Sequence, residues 1–187
     1  MDEDVKKCIE VLNKGGLILY PTDTIWGIGC DATNPDAVKK VYDLKCREDN
    51  KALLVLLDSV NSIDRYVKSL PEIAYDLIDV AVSPLTIIYD NAYNLAPELL
   101  GENSSVGIRV TKEPFSQTLC KRFRRPIVST SANISGTPAP AYFSEISDVI
   151  KNGVDYIVNY RRSDKTNCKA SSIIKIGTDG TVKILRK

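Results

Sequence analysis

The chain has 187 residues, of which 43% are hydrophobic and 26% charged, and its formal net charge is +1; this is typical of a globular protein and gives the chain as a whole no affinity for polyanions. It contains no histidine, and its five cysteines form no C-x-x-C pair, which excludes histidine-dependent catalytic triads, histidine-containing metal sites and a disulfide or zinc framework. The longest apolar run, residues 52–57, is far shorter than the roughly 18 residues of a membrane span, and the acidic start resembles no leader, so we expect one cytoplasmic domain without a membrane segment.

The hydrophobic pattern predicts helices and strands that alternate along the chain. Apolar residues three or four positions apart indicate helices, whereas short runs that are apolar on both faces indicate covered strands. Asn34 and Pro35 supply an N-cap and a first-turn proline for one helix. In chain order, the predicted elements are a helix over 5–12, a strand over 17–20, a helix over 35–45, a strand over 52–57, helices over 61–69 and 71–81, strands over 85–89 and 106–110, a helix over 114–123, a strand over 127–129, a helix over 144–150, a strand over 156–159 and a hairpin over 172–176 and 182–185. This order predicts an α/β fold with an added antiparallel element.

Two polar segments follow predicted strands and are candidate binding sites. Residues 20–29 combine hydroxyls, a carboxylate and glycines between a strand and a helix, where open α/β sheets bind ligands. The alternative is a strand-to-helix turn in which Trp26 only fills the core. Residues 129–136 are rich in hydroxyls and contain an amide and a glycine, which suits neutral hydrogen bonds to a substrate but is equally common in turns and caps.

Two basic clusters are candidate anion sites. Lys45, Arg47 and Lys51 lie within seven residues, and lysine point charges with an arginine fork suit a polyphosphate. The alternative is a solvated helix end, where the dipole already favours cations. Residues 121–125 carry four cations in five positions, which predicts either contact with an RNA backbone or the solvated end of a helix.

These segments occur together in the order found in one family. The matching residues are Tyr-Pro-Thr-Asp-Thr at 20–24, Lys-x-Arg at 45–47 with Lys51, Pro-Leu-Thr at 84–86, Ser-Val-Gly-Ile-Arg at 105–109, Ser-Ala-Asn-Ile-Ser-Gly at 131–136, Ser171-Ser172 and Leu185-Arg186. With them the chain resembles the YrdC-like threonylcarbamoyl-adenylate synthases over essentially its whole length, in the short form without an extra carboxyl-terminal domain. It departs from the common family pattern at Glu48, Leu56 and Ala141.

The resemblance implies a fold and an activity. The fold would be a single domain over residues 1–187, a twisted mixed parallel and antiparallel sheet flanked by helices, with a concave ligand cleft. The activity would be a nucleotidyltransferase reaction in which L-threonine, bicarbonate or CO2 and ATP, with Mg²⁺, give threonylcarbamoyl-AMP and pyrophosphate. The product would serve threonylcarbamoyladenosine formation in tRNA, through a downstream tRNA threonylcarbamoyl transferase complex.

The resemblance also implies roles for individual residues, with no protein-bound metal site. The threonine-side contacts would be Thr24, Arg109, Ser131 and Ser171. The ATP-side contacts would be Arg47, Lys51, Ser105, Asn133 and Arg186, with Lys45 close by. Charge stabilisation of the adenylation step would fall to Lys45, Arg47 and Lys51, because a phosphorus centre under attack gains negative charge.

Two other functions remain open at this point. A non-catalytic module that binds double-stranded RNA or tRNA would use a basic surface that includes residues 121–125. An adenylating domain with another acceptor would keep the ATP-side residues and change only the amino-acid pocket. Dependence on threonine separates these functions, since an RNA-binding module has no use for the amino acid.

Overall fold

The computed structural model of the chain describes residues 1–46, 53–165 and 170–187. Its α-helices are α1 (Asp2–Asn13), α2 (Pro35–Leu44), α3 (Ile73–Val80), α4 (Pro114–Phe123) and α5 (Asp148–Asn152). Its strands are β1 (Ile18–Tyr20), β2 (Gly27–Gly29), β3 (Leu54–Leu57), β4 (Leu85–Tyr89), β5 (Val106–Val110), β6 (Ile127–Ser131), β7 (Tyr156–Ile157), β8 (Ser172–Ile176) and β9 (Val182–Arg186). A longer 3₁₀ helix spans Val60–Arg65.

The strands form one mixed sheet in the order β7-β1-β2-β6-β3-β5-β4-β8-β9. Neighbours are parallel in the pairs β1–β7, β3–β5 and β4–β8 and antiparallel in the remaining pairs. The middle strand β3 is the apolar run that the sequence predicts to be central, and Val55, Leu56 and Leu57 on it are buried. The predicted single-domain α/β fold with a mixed sheet is therefore confirmed.

Local sequence signals fix several helix ends. The side chain of Asn34 accepts a hydrogen bond from the Ala37 N–H at 3.2 Å, as its N-cap position predicts. The carboxylate of Glu113 caps α4 in the same way and accepts the Ser116 N–H at 2.7 Å. Helix α1 packs against α4, and α4 packs against β3. These contacts place the helices against the sheet and leave part of it free for a cleft.

The structure differs from the sequence prediction in three segments. The helix predicted over 61–69 is instead the 3₁₀ helix Val60–Arg65. Residues 20–29 are not a plain connection from a strand to a helix, because Gly27–Gly29 forms β2 between β1 and β6. The helix predicted over 144–150 is instead a 3₁₀ turn at Phe143–Glu145 followed by α5, whose N-cap is Ser147. The Ser147 side chain accepts the Ile150 N–H at 3.5 Å. This cap makes the helix begin after Ser147 rather than at Ser144. Among the residues described, no helix is long and apolar enough to cross a membrane.

Candidate active site

A cleft of about 380 Å³ opens over the sheet at the amino end of β3. It is lined by Thr22, Thr24, Ile25, Trp26, Gly27, Leu53, Leu54, Arg109, Ser129, Thr130, Ser131, Ala139, Ala170, Ser171, Ile173 and Arg186. These residues come from six strands and the segments beside them, so the cleft exists only when the sheet has formed. Its size falls in the range of small-molecule sites, and its wall combines apolar surface with convergent hydroxyl and guanidinium groups.

Two glycines, one on β5 and one on β2, lie on the strands around the base of the cleft. Gly107 on β5 pairs with Leu54 on β3, and a Cβ at Gly107 would meet Thr86 Cγ2 at 3.4 Å. Gly27 on β2 pairs with Ser131 on β6. A larger side chain at Gly27 would project into the cleft, and one at Gly107 would lie on the same face of β5 as the cleft residue Arg109.

Arg109 is the buried cation of the cleft and is only 3% exposed. Its Nε lies 3.1 Å from Asp23 Oδ1, and its Nη2 donates to Thr24 Oγ1 at 3.5 Å. Neither Nε nor Oδ1 completes a hydrogen bond, so the two charges attract without a well-directed N–H···O contact. Burial raises the pKa of the Asp23 carboxyl, and the Arg109 guanidinium opposes that rise. The guanidinium is thus held in place yet retains donor capacity toward a ligand carboxylate.

The loop between β1 and β2 is held by its own hydroxyls. Thr22 Oγ1 donates to the Ile25 carbonyl at 2.8 Å and accepts the Thr24 N–H at 3.1 Å. The two threonine hydroxyl oxygens are 3.0 Å apart. These contacts fix the direction of the Thr24 hydroxyl toward Arg109, and Trp26 packs against Phe143 with ring centroids 4.8 Å apart.

A second cluster of polar side chains lies on the opposite side of the cleft. Ser171 Oγ lies 2.9 Å from Thr86 Oγ1, and the Arg186 guanidinium donates to the Ser171 carbonyl from Nε at 3.0 Å and from Nη2 at 2.8 Å. Strand β9 has an irregularity here, because Ile173 pairs with Arg186 while Ile174 pairs with Ile184. The extra residue turns Arg186 toward Ser171, as β-bulges commonly re-aim a side chain.

Lys45 anchors the loop that follows β6. Its side chain is buried, 1% exposed, and its Nζ donates to the Ser131 carbonyl at 2.5 Å and to the Asn133 carbonyl at 2.6 Å. Asn133 Nδ2 donates onward to the Thr137 carbonyl at 2.6 Å. As placed, the ammonium positions the Ser131 side of the cleft rather than facing open solvent.

The structure brings together five of the residues singled out from the sequence. Thr24, Arg109, Ser131, Ser171 and Arg186 all line the cleft. Asn133 borders it through Lys45. Ser105 stands directly before β5 and does not line the cleft. Arg47 and Lys51 lie outside the described residues, so the phosphate-binding prediction for them stays a prediction.

Two polar residues of the site were given no role from the sequence. Asp23 sits beside Thr24 in the loop, and its neighbour Arg109 is 86 positions away, so no local signal pairs them. Thr86 is the second residue of β4 and ends the Pro-Leu-Thr motif at 84–86, but that motif gave it neither a role nor a partner. Over residues 1–46, 53–165 and 170–187, no three cysteine or acidic side chains are grouped so that they could hold a metal ion.

Comparisons with known proteins agree with this fold. A model of the Sua5/YciO/YrdC family, described as "Telomere recombination", matches residues 10–187. A threonylcarbamoyl-AMP synthase of Pseudomonas aeruginosa is 36% identical over 151 residues, covering 76% of this chain and 81% of that protein. Another from Hahella chejuensis is 34% identical over 154 residues, covering 81% and 83%.

Two solved structures share the fold. E. coli YciO superposes with a TM-score of 0.85 at 23% identity, over 100% of this chain and 90% of that one. P. abyssi Sua5 complexed with L-threonine also gives 0.85, at 24% identity, over 97% of this chain and 53% of that one. Because the family model covers nearly the whole chain and relatives are more than 30% identical, the chain belongs to the Sua5/YciO/YrdC family.

Proposed function

We propose that the chain is an L-threonylcarbamoyladenylate synthase, which joins L-threonine, bicarbonate or CO2 and ATP into threonylcarbamoyl-AMP and pyrophosphate. One observation carries the proposal: Thr24, Arg109, Ser131 and Ser171, the residues expected on the threonine side, line a single cleft together with Arg186. Relatives 34–36% identical carry the name of this enzyme. The described cleft has the size and polarity for an amino acid with part of a nucleotide.

On the threonine side, Arg109 binds the substrate carboxylate. A guanidinium can hold both carboxylate oxygens, and Arg109 lines the cleft while Asp23 holds the Nε side of the group. The hydroxyls of Thr24 and Ser131 face the same space and are suited to the substrate hydroxyl and amine. Ser171 is held by Thr86 and Arg186, so its position is set before the ligand enters.

On the ATP side, the proposal assigns Arg47, Lys51, Ser105, Asn133 and Arg186. Lys45 positions the loop of Ser131 and Asn133, and its charge adds to the field at the phosphates. Mg²⁺ would enter with ATP as part of the substrate, because metal ions bridge the phosphate oxygens and neutralise the charge that develops during phosphoryl transfer.

The chemistry needs positioning more than proton transfer. The threonine ammonium loses a proton to solvent, and the amine then attacks CO2 and releases a second proton to solvent as the carbamate forms. A carbamate oxygen then attacks the α-phosphorus of ATP, and pyrophosphate leaves. Both steps require aligned reactants and stabilised negative charge, which fixed cations and hydroxyls supply. A chain without histidine can therefore carry out the reaction.

The product is a reactive mixed anhydride and is expected to pass quickly to an acceptor. The proposed acceptor is a tRNA threonylcarbamoyl transferase complex that acts on tRNA in the cytoplasm. Residues 1–187 would act as one domain. These statements rest on the family resemblance.

The test is pyrophosphate release by the purified protein with Mg²⁺, ATP and bicarbonate, with and without L-threonine. The expected result is threonine-dependent release together with a product of the mass of threonylcarbamoyl-AMP. Arg109→Lys keeps the charge but loses the fork, and it should raise the threonine KM at least tenfold, roughly 1.4 kcal/mol. Arg122→Lys is the matched control, since Arg122 pairs with Asp2 at 2.7 Å on the surface and should leave KM unchanged.

A non-catalytic RNA-binding module is the alternative that this assay addresses. It would bind structured RNA and release no pyrophosphate under any condition. Arg47→Ala tests the ATP side separately: full rate at saturating ATP would remove Arg47 from the adenylation step.

A further inference from the structure

A second cavity, of about 330 Å³, lies at the carboxyl end of β3. It is lined by Leu57, Asp58, Ser62, Arg65, Tyr66, Cys120, Lys121, Arg124 and Arg125. None of these residues lines the cleft, which begins at Leu53 and Leu54. Leu54 and Asp58 are four positions apart, which is roughly 13 Å at about 3.3 Å per strand residue. The cavity is therefore a separate site from the proposed active site.

The basic residues at 121–125 contribute positive charge to this cavity, but some of them form ion pairs within the fold. Arg122 forms an ion pair with Asp2 on α1 at 2.7 Å. Arg125 pairs with the buried carboxylate of Asp31 and with the Asn13 side chain. These two cations hold α4 to the rest of the fold, and their charges are matched.

Lys121, Arg124 and Arg65 are not used in this way. All three are exposed, and in the described ranges none forms an ion pair with a carboxylate. The cavity contains one carboxylate, Asp58, which accepts the Ser62 hydroxyl at 3.3 Å. Three unmatched cations from two elements thus face one cavity that holds a single acidic group.

Arg124 occupies a backbone position that disfavours a side chain. Its φ is +60° and its ψ 17°, the left-handed conformation that ends α4. Glycine is the usual residue at such a helix end, and another residue costs on the order of 1 kcal/mol there. The chain thus keeps an unmatched guanidinium at a helix end where glycine is the usual residue, one of eight non-glycine positions with positive φ in the described residues.

We propose that this cavity binds a phosphate-bearing ligand at a site distinct from the active-site cleft. Arg65 and Arg124 offer planar forks and Lys121 a point charge, a combination that suits phosphate oxygens. The volume of the cavity lies in the range of small-ligand sites. The phosphate comes from a small di- or triphosphate molecule or from an RNA backbone, which share this chemistry.

The test follows amide signals of the full chain by ¹H–¹⁵N NMR during titrations with inorganic pyrophosphate, ADP and a short RNA hairpin. Signals of residues 62–66 and 120–125 report this cavity independently of binding in the cleft. The variants are Lys121→Gln with Arg124→Gly, and the matched control is Arg122→Gln, which removes a charge from the same run but outside the cavity. Arg124→Gly removes the charge and the disfavoured backbone residue together, so thermal unfolding should show no loss of stability from it.

The expected result is saturable shifts at these residues, weakened at least tenfold by the double variant and less than twofold by Arg122→Gln. Shifts with pyrophosphate or ADP identify a small phosphate ligand, and shifts with the hairpin alone identify an RNA backbone; both support the site. The proposal is overturned if no probe shifts these signals. It is also overturned if Arg122→Gln weakens binding as much as the double variant, because the effect would then be that of net charge alone.

Discussion

The ion pair between Arg109 and Asp23 makes the stability of the cleft sensitive to a single substitution. The two side chains are 4% and 13% exposed, and the closest charged atoms are 3.1 Å apart. At an effective dielectric constant near 20, their attraction is about 5 kcal/mol, which the cost of desolvating both charges largely offsets. Arg109→Met removes the attraction but leaves the desolvated carboxylate. We expect a loss of about 3 kcal/mol in unfolding free energy, at the low end for a broken buried pair because Nε and Oδ1 complete no hydrogen bond.

A second substitution at Asp23 should rescue the stability lost in Arg109→Met, and the contribution of Asp23 to stability should depend on pH. Asp23→Asn in the Arg109→Met chain removes the uncompensated charge and should restore most of the loss. Burial raises the pKa of the Asp23 carboxyl above its ordinary value of 3.8, and Arg109 opposes that rise; without Arg109 the pKa rises further. A carboxyl with a raised pKa in the folded state takes up a proton on folding, so stability is retained at low pH and lost as pH rises through the folded-state pKa.

Urea unfolding followed by circular dichroism at pH 5 and pH 7.5 measures both effects. The loss of unfolding free energy in Arg109→Met relative to the parent should be smaller at pH 5, where Asp23 is more protonated. In the double variant, the difference from the parent should change little between the two pH values. If Arg109→Met unfolds at the parent's urea midpoint at pH 7.5, or if Asp23→Asn deepens its loss, the ion pair does not stabilise the cleft and the reasoning fails.

Four further substitutions probe a buried lysine, two glycines and a helix cap. Lys45→Met leaves buried carbonyls without their donor and should lower unfolding free energy by about 2–4 kcal/mol; an unchanged melting temperature would show that the loop after β6 does not depend on this ammonium. Gly29→Ala would bring a Cβ within 2.6 Å of Tyr20 Cε1 and should cost about 1–3 kcal/mol. Gly107→Ala meets only ordinary contacts, so it should melt close to the parent while weakening threonine binding in calorimetry. Asn34→Ala removes a helix cap and should cost about 1 kcal/mol by urea unfolding; no change would mean that solvent caps α2 equally well.

Where local chemistry decides the structure, the sequence predicts it closely. Residues 85–89, 106–110 and 114–123 form the elements expected of them, because alternation, β-branched residues and a first-turn proline act within a few residues. The segment Gly27–Gly29 could not be predicted in the same way. Gly-Ile-Gly has little strand propensity, and it is a strand because β1 and β6 offer hydrogen-bonding partners on both sides.

The candidate site shows the same division. The residue types needed to bind an amino acid and a nucleotide could be read from the motifs, and their order identified the family before any geometry was known. The partners could not, because Asp23 and Arg109, or Thr86 and Ser171, are about 85 positions apart and meet only through strand register. Tertiary contacts likewise decide which cations of residues 121–125 are paired: Arg122 and Arg125 meet carboxylates on other elements, while Lys121 and Arg124 meet none within the described part of the chain. Sequence by itself determined which chemistry the chain can offer; long-range packing decided which charges are matched within the fold and which stay available to a ligand, because that depends on distances that no local pattern encodes.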